Sequence, residues 1–324
     1  MNQGVRSREA GSLILAAAVS FVLYLTSIGS LFFTLPLLLL DRRCRKRTTD
    51  TACVAALVLI LGRNIFLFKD ALNQSLTWTF ISVSMFMPLS LILSAIVWVN
   101  KDDCRSVFER IIYSVLPSLI LFVLIEAWLA FNPDVLQTLV EAYSSTISSM
   151  LSLIFTADES VTAYMALVLL FALASLAVPL VVANHIGIAF IYEACTHPEN
   201  EAFERKIRTF RVPEWFVYPF LALWAFVLAC CFVAVPFWIS VPVISLALCT
   251  MLIYFLQGFA IIMARLRQRG SHMTAFKAAG WLLLILVIVQ VVNIILALGI
   301  TLTGVLENWI KLRKPEEFSN EDYS

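Results

Sequence analysis

Charge and histidine are both scarce in this chain. Asp, Glu, Lys and Arg supply 14% of its 324 residues, against about 25% in an ordinary soluble domain. Hydrophobic residues supply 61%, against about 45–50%. With a mean hydropathy of +0.90, the apolar surface exceeds what one aqueous core hides. A soluble globule and a disordered chain are excluded, and lipid is left as the solvent. Three histidines, His185, His197 and His272, are the whole stock, and none belongs to an HExxH pair of metal ligands. No GxSxG elbow and no Gly-rich phosphate loop occurs. The chain therefore reads as a non-enzyme, with no catalytic residue, metal or cofactor expected. The seven cysteines fall in apolar runs or basic loops, none in the long segment 132–160, so no disulfide framework is expected. The same apolar composition excludes a nucleic-acid binder, and the net charge of +1 says nothing about partners as a sum. The two halves show no internal repeat of the kind many transporters carry.

Long uncharged runs are what the sequence has in abundance. A hydrocarbon core about 30 Å thick takes about 20 helical residues at about 1.5 Å each. Six runs fit a full crossing: 51–69, 76–99, 111–131, 161–192, 215–235 and 239–264. Two more, 11–40 and 278–310, are too long for one straight crossing. None alternates with period two, so helices are the spanning structure. The expected fold class is all-α: a polytopic integral membrane helical bundle of about eight hydrophobic segments, one membrane domain over 1–324 with a polar tail at 315–324.

Lys and Arg orient the bundle, because basic loops are retained in the cytoplasm. One side carries Arg42, Arg43, Arg45, Lys46 and Arg47, then Lys101, Arg105 and Arg110, then Arg205, Lys206, Arg208 and Arg211, then Arg265, Arg267, Arg269 and Lys277. The other has only Arg63 and Lys69. Arg6 and Arg8 precede the first run, and Lys311, Arg313 and Lys314 follow the last. These join the basic side only if both terminal runs fold back, which puts both termini in the cytoplasm. Thr26, Ser27, Gly29, Ser30 and Pro36 interrupt the first run, and Gln290, Asn293 and Gly299 weaken the second. For the second, a single crossing followed by an interfacial helix around Trp309 is the alternative. The first run is too long for a cleaved signal peptide. Indoles favour the headgroup level. Trp78, Trp128 and Trp238 fall at outer ends, Trp98, Trp215, Trp281 and Trp309 at inner ends, and Trp224 alone lies mid-membrane.

The extracytoplasmic segment 132–160 opens Asn132, Pro133, Asp134, an N-cap with proline in the first turn. Leu136, Leu139, Tyr143, Ile147, Met150 and Ile154 then recur at helical spacing among serines. An amphipathic helix is expected, lying on the outer leaflet or forming a lid over an outward cavity.

Polar residues inside the runs are costly in lipid and mark bundle interiors or cavities. Arg63, Asn64, Glu126, Asn184 and His185 are the candidates for a ligand pocket. Arg63 either snorkels to the outer headgroups or meets Glu126 or an anionic ligand. Pro179 should kink its long segment and free a backbone carbonyl. Asn184 and His185 read first as interhelical hydrogen-bonding groups. Gln257 with Gly258, and Gln290 with Asn293, read as packing groups. Ser12, Ala16 and Ser20 form a strip of small residues that can seat another helix.

Arg211, Val212, Pro213, Glu214 and Trp215, then Gln257, Gly258, Phe259 and Ala260 before a basic stretch, resemble the YybS-like family of bacterial integral membrane proteins. The tail from Gly304 through Glu307, Trp309 and Arg313 to Lys314 is similar to that family's closing pattern of glycine, acid, aromatic and arginine. The resemblance covers 136 residues in motif, from Pro179 to Lys314. It implies a bacterial cytoplasmic membrane location. It also implies a fold similar to the small-molecule-binding S components of energy-coupling-factor transporters. Arg211, Pro213 and Trp215 would serve geometry: Pro213 opening a helix, Trp215 at the inner interface, Arg211 facing lipid or a partner. The expected function is a small-molecule-binding or transport-related membrane subunit. The alternative is a membrane scaffold or assembly factor for envelope or developmental machinery, docking a cytoplasmic protein through the basic loops.

Overall fold

The structure is a computed structural model describing residues 3–41, 44, 46–69, 75–101, 104, 106–155, 158–196, 200–233, 235–271, 273–288 and 290–313. Arg42, Arg43, Arg45, Arg105, Lys314, His197, His272 and the polar tail 315–324 lie outside the described residues. Among the described residues the chain is all α, with twelve helices and no strand. In order these are α1 (Gln3–Leu25), α2 (Leu35–Asp41), α3 (Lys46–Leu67), α4 (Ser75–Asn100), α5 (Val107–Ala130) and α6 (Pro133–Ile154). There follow α7 (Glu159–Thr196), α8 (Asn200–Arg208), α9 (Val217–Cys230), α10 (Phe237–Gln268), α11 (Ala275–Ile288) and α12 (Gln290–Leu306). Helices α3, α4, α5, α7 and α10 are long and apolar enough to cross a bilayer. The chain is a helical membrane bundle.

The first apolar run is divided where its polar residues predict. Helix α1 stops at Leu25, a 3-10 turn occupies Gly29–Leu31, and α2 follows. Gly29 is required there, because a Cβ would strike the Thr26 hydroxyl and the Leu23 carbonyl. Tyr24, at the end of α1, lies under the Arg63 guanidinium near the end of α3, 5.7 Å from ring centre to charge. Because α1 also packs along α3, the two run parallel, and the chain between them must return. Helix α2 is the returning arm. The Ser20 hydroxyl donates to the Phe33 carbonyl across the fold at 2.5 Å. Ala16 and Ser20 of the small-residue strip are buried as α1 seats on α3.

The last run is described as two helices, on either side of position 289. Helices α11 and α12 have 14 and 17 described residues. They contact each other. Helix α12 lies closely on α10, with Ile300 against Gly258 and Gly304 against Tyr254. Small residues permit such close backbone approach, which is the main way helices associate without an aqueous driving force.

Run 215–235 forms a shorter helix than its hydropathy predicts. It forms a 3-10 turn at Glu214–Phe216 and then α9, of 14 residues, which spans only about 21 Å. Residues 231–233 turn out of the helix, and Pro236 begins the cap of α10. Helix α7 errs the other way, with 38 residues spanning about 57 Å. That excess length supplies a partner for α6, which packs along α7 and touches α5 rather than lying apart on the leaflet. Leu139 and Leu151 are buried while Met150 and Ile154 stay exposed, and Tyr143 meets Phe80 of α4. Asn132 starts α6 without a side-chain cap, its amide donating to the Trp128 carbonyl instead.

Pro179 frees the carbonyl of Ser175, four residues earlier. The Ser245 hydroxyl of α10 donates to that carbonyl at 2.9 Å, tying α7 to α10 inside the bundle. The Ser94 and Ser118 hydroxyls, 3.0 Å apart, join α4 to α5 in the same manner.

Candidate functional site

The last carbonyls of a helix have no partner within it. At the end of α4 one of them, on Trp98, is claimed by Arg110 from the start of α5. Ser106 caps α5 by accepting from the Glu109 amide at 3.2 Å, which sets the first turn. Arg110 Nε and Nη2 then donate to the Trp98 carbonyl at 3.1 and 2.8 Å. The guanidinium lies 4.1 Å over the Trp98 ring, and Nη1 donates to Glu193 Oε1 of α7 at 2.9 Å. A cation at a helix C-terminus, stacked on an indole and paired with a carboxylate, joins α4, α5 and α7 at one point. Trp98 is accordingly 2% exposed, not half wet as its place at a run's end suggests. The other six indoles expected at an interface are exposed.

Beside this junction opens a cleft. Its apolar walls are Val107, Phe190, Ile207, Phe210, Leu256 and Phe259, from α5, α7, α10 and the segment that begins with α8. Its polar pole is Arg110, Glu193 and Lys206. The Lys206 ammonium lies 3.9 Å from Glu193 Oε2, beyond hydrogen-bonding distance, and its side chain is half exposed. The free volume is about 40 Å³, room for roughly three water-sized groups at 10–15 Å³ each.

The cleft wall from Lys206 to Phe210 is held from behind by the C-terminal segment. Arg313, with only 1% of its side chain exposed, donates from Nε and Nη2 to Glu307 at 2.7 and 2.6 Å. Its Nη1 donates to the Arg208 carbonyl at 2.5 Å and Nη2 also to the Phe210 carbonyl at 2.8 Å. Fully buried Gln257 completes the clasp, accepting from the Val212 amide at 2.9 Å and donating to Glu307 at 3.0 Å. Asn308 donates to the Tyr254 hydroxyl at 3.2 Å. Glu204 accepts from the Ala275 amide at 2.6 Å, fastening α8 to α11.

The five pocket candidates do not converge, and none lines this cleft. Arg63 is half-buried against Tyr24 and bonds only weakly to Asn64, at 3.4 Å. Asn64 donates to Ser84 and Met85 of α4 at 3.3 and 3.1 Å. Glu126 stands half-buried on α5 with no ion pair to Arg63. Asn184 Nδ2 and His185 Nε2 are buried without a hydrogen-bond partner among the described residues, and His185 meets the Trp98 ring edge-on at 6.0 Å.

The motif residues fare differently. Gln257, Gly258, Gly304, Glu307 and Arg313 meet in the clasp, and Pro213 precedes the 3-10 turn that places Phe216 in the core. Trp215 is exposed and meets Phe108 edge-on at 6.3 Å. Arg211 is a surface group paired with Glu214 at 3.2 Å. The site residues missed in the sequence are Arg110 and Glu193. The signal available was an acid, Glu193, inside an otherwise uncharged run. Among the described residues no cluster suits a metal ion. No family model, curated protein or solved structure matches this chain.

Proposed function

We propose that this protein is a small-molecule-binding or transport-related subunit of a bacterial cytoplasmic membrane, related to the YybS-like family, with both termini in the cytoplasm. One observation carries the reading: an apolar cleft with the ionised pole Arg110, Glu193 and Lys206 inside a membrane bundle. Helix α8 covers the cleft, and the clasp on Arg208 and Phe210 sets how firmly the cover is held. The convergence of Gln257, Gly258, Glu307 and Arg313 supports the family relation, because residues of one motif then serve one junction. Gentle extraction followed by native mass spectrometry tests the function. A reproducible bound small molecule supports it, and consistently ligand-free protein overturns it.

A docking role has a separate motivation. The last turns of α10 carry Arg265, Arg267 and Arg269, all exposed, on a helix whose length of about 48 Å exceeds the hydrocarbon core. Crosslinking from position 269 should then capture a cytoplasmic protein in cells, and R269E with K277E should release it.

A further inference from the structure

We infer that the cleft takes a short organic anion, one carboxylate or phosphate on an apolar body, with the anionic end at Lys206. The inference rests on the binding reading above and names its ligand class. Arg110 pairs with Glu193 at 2.9 Å, and of the three charged side chains lining the cleft two are positive. Arg110 is also committed to the Trp98 carbonyl through two bonds. Lys206 is not so bound, since 3.9 Å to Glu193 gives attraction without a hydrogen bond. An ammonium at the mouth of an apolar slot keeps its donors for an incoming oxyanion.

Behind Lys206 the walls are Phe190, Ile207, Phe210, Leu256 and Phe259, which offer no acceptor for a second polar group. A ligand polar at both ends would leave one end desolvated and unmatched. A free volume of about 40 Å³ suits a short unbranched alkyl body rather than a bulky one. A cation is disfavoured because it would face both Arg110 and Lys206.

The test uses the full-length protein in detergent and four probes: hexanoate, hexyl phosphate, hexylamine and inorganic phosphate. Binding is read by isothermal titration and by ligand-observed NMR. Hexanoate and hexyl phosphate should bind, and hexylamine and inorganic phosphate should bind at least tenfold more weakly. K206M keeps the side-chain stem and removes the charge, and it should weaken the two anionic probes at least tenfold. K277M, at an exposed cation away from the cleft, should leave them unchanged. Preference for hexylamine, or equal hexanoate affinity in K206M and the parent, overturns the inference. Inorganic phosphate binding as well as hexyl phosphate overturns the apolar body. If native mass spectrometry finds a ligand while hexanoate and hexyl phosphate fail, this inference falls and the binding reading stands. An empty protein in both experiments removes both.

Discussion

The fold-back of α1 and α2 onto α3 and the clasp of α12 onto α10 solve one problem with opposite chemistry. Lipid tails are as apolar as leucine, so burial from water does little to hold helices together within a bilayer. At the N-terminal fold-back the answer is closeness. Ala16, Ala17, Ala52 and Ala56 are buried together with Phe33, Leu37 and Ile60, and polar ties are few. At the clasp the answer is charge. Arg313 makes four hydrogen bonds to Glu307 and two backbone carbonyls, and the close approach at Gly258 and Gly304 brings the helices near enough for it. The first arrangement degrades gradually when altered. The second is an all-or-none junction, because each charged partner is buried and depends on the other.

That contrast predicts its largest effect at Glu307. E307A leaves the Arg313 guanidinium buried without its counter-ion and should cost about 3–5 kcal/mol. The measurement is thermal unfolding in detergent, read by static light scattering or size exclusion. A loss under about 1 kcal/mol would mean that Arg313 swings out to water, and the clasp would be no stronger than a surface pair.

Glycine substitution sharpens the comparison next. A Cβ at Gly304 would collide with the Tyr254 carbonyl and the Gly258 amide nitrogen. These are backbone atoms that cannot rotate away. G304A should cost about 3 kcal/mol, the upper part of the overpacking range. Gly62 in α3 has nothing within 4 Å of its would-be Cβ, so G62A should leave stability unchanged or raise it by up to about 1 kcal/mol. If both variants behave alike in the same unfolding assay, close approach does not distinguish the two ends.

Some of this is legible in the sequence. The five long helices follow from uncharged length alone, and the break after Leu25 from the cluster Thr26 to Ser30. The freed carbonyl under Pro179 follows from stereochemistry, though not the identity of Ser245 as its donor. Trp98 was misplaced because ring amphipathicity speaks only of preference. An arginine twelve residues later can cover the ring and bury it. The site was least legible. Arg63, Glu126 and His185 each look equally costly in lipid, and hydropathy carries no information about which helices are neighbours. Glu193 and Arg110 are 83 residues apart in the chain, and Arg313 and Phe210 are 103 apart. Only packing relates them.

A smaller effect is expected at the fold-back. S20A removes the donor to the Phe33 carbonyl across α1 and the returning chain, worth about 1 kcal/mol for a neutral hydrogen bond. Because surrounding alanines and leucines hold the turn independently, the variant should keep its fold and lose only a few degrees in midpoint. Collapse of the N-terminal fold, seen as new trypsin cleavage between α1 and α3, would show that one hydroxyl carries the junction and that the two ends do not differ in kind.

Arg211 provides the smallest effect and the sharpest control. It belongs to the same short motif as Val212, whose amide enters the clasp, yet its guanidinium points to the surface and pairs only with Glu214, three residues on. Both side chains are substantially exposed, at 46% and 73%, and such pairs contribute about 0–1 kcal/mol and weaken in salt. R211A should therefore shift stability by less than about 0.5 kcal/mol, with the difference vanishing in 0.5 M NaCl. Gln257, 0% exposed and buried in that same clasp, should respond to Q257A several times more strongly and without salt dependence, since it bridges Val212 to Glu307 where water and ions do not reach. Adjacent positions of one motif thus separate into a screened surface pair and an unscreened buried bridge, and the ionic-strength series reads that separation directly.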